Sequence, residues 1–244
     1  MKKYIYLILI AFSLNANAQT LKDCSTCAVQ IIQPEQIENL SIDEIQYLTN
    51  DLLARKGYNF KRGDIDFYYS QKIWYKPIED NSKITYNSIE MKNIQLFQKR
   101  AKELKIDREK LIEDLKLFKV AFLQNNEEVL WVKFNFSVEK NLGTKNSESN
   151  QYFSEVIRNT NIDKIGWFKN QAHYKTKIDN LSETYSYVFT VEGNNVYFRY
   201  DYDTGSEDVK EELYLSDWYK EFTHYWNFEF INNQLKFIDF GVAG

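Results

Sequence analysis

Few residues in this chain have both the type and the spacing that chemistry needs. Cys24-Ser25-Thr26-Cys27 is a C-x-x-C pair. Such a pair exchanges electrons when it opens a helix after a strand, where the helix dipole lowers a thiol pKa. No strand is expected ahead of Cys24, so the default in an oxidising compartment is a local disulfide between Cys24 and Cys27. Redox exchange and metal binding are the alternatives. A zinc site would need two further ligands, and the chain has no other cysteine. There are two histidines, His173 and His224. A nucleophile–histidine–acid set would have to use one of them, yet no Gly-x-Ser-x-Gly turn, His-Glu-x-x-His helix or phosphate loop accompanies either. His173 lies in a polar stretch. His224 shares strand phase with Phe222, Trp226 and Phe228, which places it at the border of a core.

Carboxylates are the other candidates. Asp201-Tyr202-Asp203-Thr204-Gly205-Ser206-Glu207-Asp208 puts oxygen ligands at alternate positions, as a calcium loop does. It lacks a third alternate carboxylate and the distant bidentate Glu, so a solvated hairpin end is the simpler reading. Glu229 and Asp239 fall on the final hairpin, where a carboxylate pair at a suitable separation could hydrolyse a glycosidic bond. Tyr197, Tyr200, Tyr202, Tyr225 and Trp226 alternate along strands, so some of them should face outwards and could stack on sugars. No metal and no cofactor is expected.

The elements that position these residues follow from periodicity and caps. Ser41-Ile42-Asp43-Glu44 is a capping box, and Ile42, Ile45, Leu48, Leu52 and Leu53 line one face of the helix it opens. Gly57 suits the left-handed residue that ends it. Asp64 to Ile73 reads as a second short helix, with Phe67, Tyr68 and Trp74 as its buried groups. Asn87 caps a third helix striped by Ile89, Ile94, Phe97 and Ala101. A separate helix from about Asp107 to Leu123 repeats Leu111, Leu115, Phe118 and Phe122. Val129 to Val138 reads as a short helix running into an extended segment, Asn141 to Asn150 as a loop and Tyr152 to Ile165 as a helix. Tyr185–Val191 with Val196–Asp203, and Phe222–Ile231 with Leu235–Phe240, are two hairpins.

The start of the chain reads as a targeting segment. Lys2 and Lys3 precede an apolar stretch from Tyr4 to Leu14, and Ala16-Asn17-Ala18 has the small-x-small form that a signal peptidase accepts. Residues 1–18 are therefore expected to be removed before Gln19, leaving an exported protein, periplasmic or extracellular, without an integral membrane segment. The apolar run is too short to span a bilayer. Loss of the two lysines takes the formal charge from −4 to −6. A mildly acidic chain lacks the electrostatic footprint of a nucleic-acid binder, so no nucleic-acid partner is expected. Aromatics make up 16% of residues while Gly (8) and Pro (2) are scarce, which argues for a packed fold rather than a linker.

One block goes further. Leu53-Ala54-Arg55-Lys56-Gly57 is preceded by Asn50-Asp51-Leu52 and followed by Tyr58, Phe60, then Trp74-Tyr75-Lys76-Pro77 and Glu90-x-x-Asn93. From about residue 41 to 104 this pattern resembles the YARHG domain, with Leu53 and Lys56 where the motif has Tyr and His. The resemblance implies an extracytoplasmic bacterial module without an assigned activity, with Arg55, Gly57, Trp74, Tyr75, Glu90 and Asn93 as its structural motif. No role that needs an imidazole at position 56 is expected here. A buried guanidinium needs a carboxylate, and Glu90 or Asp66 are the candidates for Arg55. An Arg55–Glu90 bridge between the first and third helices is the expectation, and a solvated Arg55 is the alternative. The second half is similar to nuclear-transport-factor-2-like cones in outline only.

The expected class is α+β. Residues 19–40 are a lead-in carrying the C-x-x-C pair, residues 41–104 a small helical module, and residues 107–244 an α+β domain whose antiparallel sheet is built from two C-terminal hairpins. The expected function is binding or envelope architecture without catalysis, towards a cell-wall or glycan ligand or another envelope protein. The alternative is a hydrolase of envelope polysaccharide or peptidoglycan that uses carboxylates of the second half.

Overall fold

The computed structural model describes residues 20–144, 147–180, 183–204 and 221–244. The segment at 1–18 that was expected to be a targeting signal and the acidic stretch from 205 to 208 lie outside the described residues. The fold is α+β. Of the described residues, 20–40 together with Tyr47–Gln98 form one compact unit, and Ser41–Gln46 together with those from Lys99 onwards form a second.

The first unit is helical. Helix α1 (Ile42–Arg55) begins at the expected box: the Glu44 amide donates to Ser41 Oγ at 3.3 Å, and Glu44 Oε2 accepts from the Ser41 amide at 3.0 Å. It ends at Gly57, whose φ of +80° is the left-handed conformation the helix end requires. Helix α2 (Gly63–Ser70) presents a different face from the one expected. Phe67 is 69% exposed and Tyr68 43%, while Tyr69 is buried at 1%. Ile65 and Tyr69, four residues apart, turn inwards and join Ala54, Phe60 and Tyr75 in the core of this unit. Trp74, also expected inside, is 40% exposed, and its neighbour Tyr75 takes the buried place. Three consecutive aromatics leave the phase of an eight-residue helix undetermined by pattern alone.

Helix α3 (Ser88–Leu123) is one continuous helix where two were expected, with a break near residue 105. Asn87 caps it, accepting from the Ile89 and Glu90 amides, and Glu90 accepts from the Asn87 amide at 2.8 Å. At 36 residues it is about 54 Å long. A second helix was expected from about Asp107, but neither Gly nor Pro interrupts the chain there. Pairs four residues apart, Lys99–Glu103, Lys105–Glu109 and Lys110–Asp114, run through the expected break.

In the second unit, α4 (Glu127–Phe134) is capped by Asn126 and stopped by Asn135 at φ 55°. Leu130 and Phe134 are buried while Val132 is exposed, the spacing of the short helix expected at the start of Val129–Val138. Helices α5 (Val138–Leu142) and α6 (Glu148–Asn159) follow. The expected helix over Tyr152–Ile165 thus starts and stops earlier. The sheet is an antiparallel meander in the order β1 (Gly166–Phe168), β2 (Gln171–Asp179), β3 (Thr184–Glu192), β4 (Asn195–Asp203), β5 (Glu221–Ile231), β6 (Gln234–Ala243). The last four are the two expected hairpins. Strands β1 and β2 come from the polar stretch around His173, to which the sequence assigned no strand. Helix α6 lies against β3, β4 and β5. Phe118, Phe122, Phe136, Phe153, Phe198 and Phe228 interlock in the core between, with edge-on contacts for Phe118–Phe228, Phe122–Phe153 and Phe153–Phe198.

Candidate functional site

The residues of the C-terminal half that could do chemistry are dispersed. His173 is exposed on β2, whereas His224 is buried on β5, three strands away. Glu229 and Asp239 lie on the face of the β5–β6 hairpin opposite Trp226 and Phe228, with Asp239 exposed and hydrogen-bonded by Asn227. Among the described residues no group of three or more His, Cys, Asp or Glu converges as metal ligands would. Tyr200 and Trp226 point into the core, while Tyr225 lies half-buried on the other face.

The N-terminal unit holds a denser arrangement, and it begins at the end of α1. Arg55 reaches back one turn, so that Nε donates to Asp51 Oδ2 at 2.9 Å. The same oxygen accepts the Cys24 amide at 2.7 Å. Asp51 is buried, and its carboxylate thereby joins the helix to the turn closed by the Cys24–Cys27 disulfide. The Arg55 guanidinium lies over Trp74, 4.4 Å from the ring centre. Trp74 is held there because the segment after it is anchored twice. The Tyr75 hydroxyl donates to the Tyr58 carbonyl, and the Ile78 amide to the Gly57 carbonyl, both at 2.8 Å.

The expected Arg55–Glu90 bridge is replaced by two other pairs. Asp51 takes Arg55, and the neighbouring Lys56 reaches Glu90 at 3.3 Å. The reason is geometric: a carboxylate four residues back on the same helix is within reach without any tertiary constraint. Asn93, one turn beyond Glu90, is fully buried. It accepts the Ile32 amide at 2.9 Å and donates to the Cys27 and Gln30 carbonyls at 2.9 and 2.8 Å. The lead-in is therefore strapped onto α3. Burial, reinforced by the Asp51 charge, pushes the Tyr69 phenol well above its usual value, so it stays neutral and serves packing.

These groups surround a cavity of about 280 Å³ lined by Cys24, Ser25, Ala28, Leu52, Arg55, Trp74 and Glu90. Three of the motif residues, Arg55, Trp74 and Glu90, thus meet at one opening, while Gly57, Tyr75 and Asn93 hold the backbone around it. Asp51 and Lys56 were not singled out from sequence. The spacing of Asp51 to Arg55 was the available signal for the first, and nothing local marked the second.

No curated protein and no solved structure matches the chain. No helix among the described residues is long and apolar enough to cross a membrane. A family model does match, and it takes in the disulfide turn, the cavity and the first part of α3: the chain carries a YARHG domain at residues 24–102, a domain typically found in exported proteins.

Proposed function

We propose that this is an exported envelope protein that binds a cell-wall or glycan component through the Arg55–Trp74 cavity of its YARHG domain, without catalysing a reaction. One observation carries the reading. Arg55 has five N–H donors. Nε is taken by Asp51, and the two terminal nitrogens have no acceptor among the described residues, although they border a cavity. Donors left open beside an accessible aromatic ring are what a binding site offers a ligand. The leader-like start, with Lys2, Lys3 and Ala16-Asn17-Ala18, and the Cys24–Cys27 disulfide both favour a periplasmic or extracellular location. The test is retention on purified cell wall and on immobilised envelope glycans. The wild type is expected to be retained on at least one, and Trp74→Ala to be released. Wild-type protein that washes off both would overturn the proposal.

A further inference from the structure

Building on that binding role, we infer that the cavity recognises a carboxylate, held by the free edge of Arg55 as the end group of a ligand. Three features select this chemistry. The first is the ring. A sugar binds an aromatic residue by lying flat on its face, but the face of Trp74 beneath Arg55 is already covered at 4.4 Å. Tyr69 crowds the same ring, its centroid 6.1 Å away. What the cavity offers is the edge of the guanidinium, a planar fork that matches an oxyanion with two oxygens in one plane. Trp74 holds the guanidinium plane by stacking, and Asp51 fixes its rotation through Nε. The fork is therefore preorganised, which lowers the entropy lost on binding.

The second is charge. Arg55 and Lys56 are paired with Asp51 and Glu90, and the Asp23 carboxylate also feels the Arg55 charge. Glu90 is turned towards Lys56 and the Asn87 amide, and Asp51 towards Arg55 and the Cys24 amide. With Asp23 counted the surroundings are net negative, so Arg55 itself has to meet the one negative charge a ligand brings. A doubly charged phosphate would place its second charge beside two carboxylates with no spare cation. The balance favours a monoanion.

The third is size. At about 280 Å³ the cavity is at the small end for ligand sites. It takes an end group of a larger molecule rather than a whole polymer repeat. Two sources of such a group fit the proposed ligands: the free C-terminus of a short peptide, or the carboxylate of an acidic sugar.

The experiment compares each acid with its neutral counterpart by calorimetric titration of the intact protein. One pair is N-acetyl-alanyl-alanine and its C-terminal amide. The other is N-acetylmuramic acid and N-acetylglucosamine. The expected result is that one acid binds and its neutral counterpart binds at least about tenfold more weakly, the loss of a charge-assisted bidentate contact. The pair that discriminates identifies the source. Arg55→Gln should abolish the difference; since that variant also loses the Asp51 contact, the acid–neutral comparison on the wild type stands without it. Equal binding of acid and neutral partner, or no heat from either acid at millimolar concentration, overturns the inference. If the protein is nonetheless retained on cell wall or glycan, the binding role survives and only the carboxylate is wrong. If it is retained on neither, both fall.

Discussion

The Lys56 ammonium stands 3.3 Å from one carboxylate oxygen of Glu90, whose other oxygen accepts the Asn87 amide at the start of α3. The Glu90 side chain is 2% exposed and that of Lys56 32%, so the pair is buried on one side only. Removing Lys56 leaves a desolvated charge with only its cap. We expect Lys56→Ala to cost about 1–2 kcal/mol. Glu90→Ala, which loses cap and pair together, should cost more, and Glu90→Gln, which keeps an acceptor for the Asn87 amide, less than Glu90→Ala. Urea unfolding of these variants and of Lys56→Ala/Glu90→Gln provides the check. Strict additivity in the double variant would show that the two groups do not interact.

Asn93 and the disulfide act on the same turn with different strength. The Cys24–Cys27 loop is so short that closing it restricts the unfolded chain little, worth about 2 kcal/mol on chain-entropy grounds. Asn93→Ala strands the Ile32 amide and the Cys27 and Gln30 carbonyls around a fully buried position. At the usual cost of unmet buried groups this is about 3 kcal/mol or more. Thermal melts should therefore fall further for Asn93→Ala than for the wild type in reductant. The reverse order would mean that the disulfide, not Asn93, holds the lead-in.

Two glycines separate backbone need from mere occurrence. Gly57 has a positive φ, and a Cβ there would lie 2.8 Å from the Lys76 carbonyl oxygen. Gly57→Ala should cost about 2 kcal/mol or more. Gly63, at the first turn of α2, has nothing within 4 Å of its Cβ position. Gly63→Ala should be neutral or slightly stabilising, because alanine restricts the unfolded chain. Chemical denaturation of the two variants side by side decides it, and equal effects would refute the assignment of Gly57 as the obligate turn.

Much of this arrangement was readable because it is local. The Ser41–Glu44 box, the Gly57 stop, the Asn87 cap and the two C-terminal hairpins each depend on residues within a few positions of one another. The elements that were misread depend on context. Strand β2 turns only Ala172, Tyr174, Thr176 and Ile178 towards the core, and its polar intervening residues mask the alternation. Helix α3 runs unbroken past the expected gap near residue 105 because charge pairs carry it through. The cavity was least accessible of all. Its lining comes from residues 24–28, 52–55, 74 and 90, four segments that only the folded chain brings together. The motif marked Arg55, Trp74 and Glu90 but gave no sign that they share one opening, and the nearest carboxylate to Arg55 was passed over for a distant one.

His224 makes the stability of the second unit depend on pH. Its ring lies among Tyr152, Phe222, Trp226 and Phe240, and Nδ1 has no hydrogen-bond partner among the described residues. Burial pushes its pKa below the ordinary 6.5, against a weaker pull from the Glu148 charge. The folded state therefore resists a proton that the unfolded chain accepts. The sign follows: the stabilisation is fully present above about pH 6.5 and is lost as pH falls from there through the lower folded pKa. One such proton gives a slope of at most about 1.4 kcal/mol per pH unit. Carboxylates titrate mainly below this window, near pH 4. Comparing wild type with His224→Phe between pH 7.5 and about 5 isolates the histidine. The variant should keep the packing and show a flatter dependence. Parallel curves would mean that His224 takes up its proton as readily in the folded protein as in the unfolded chain.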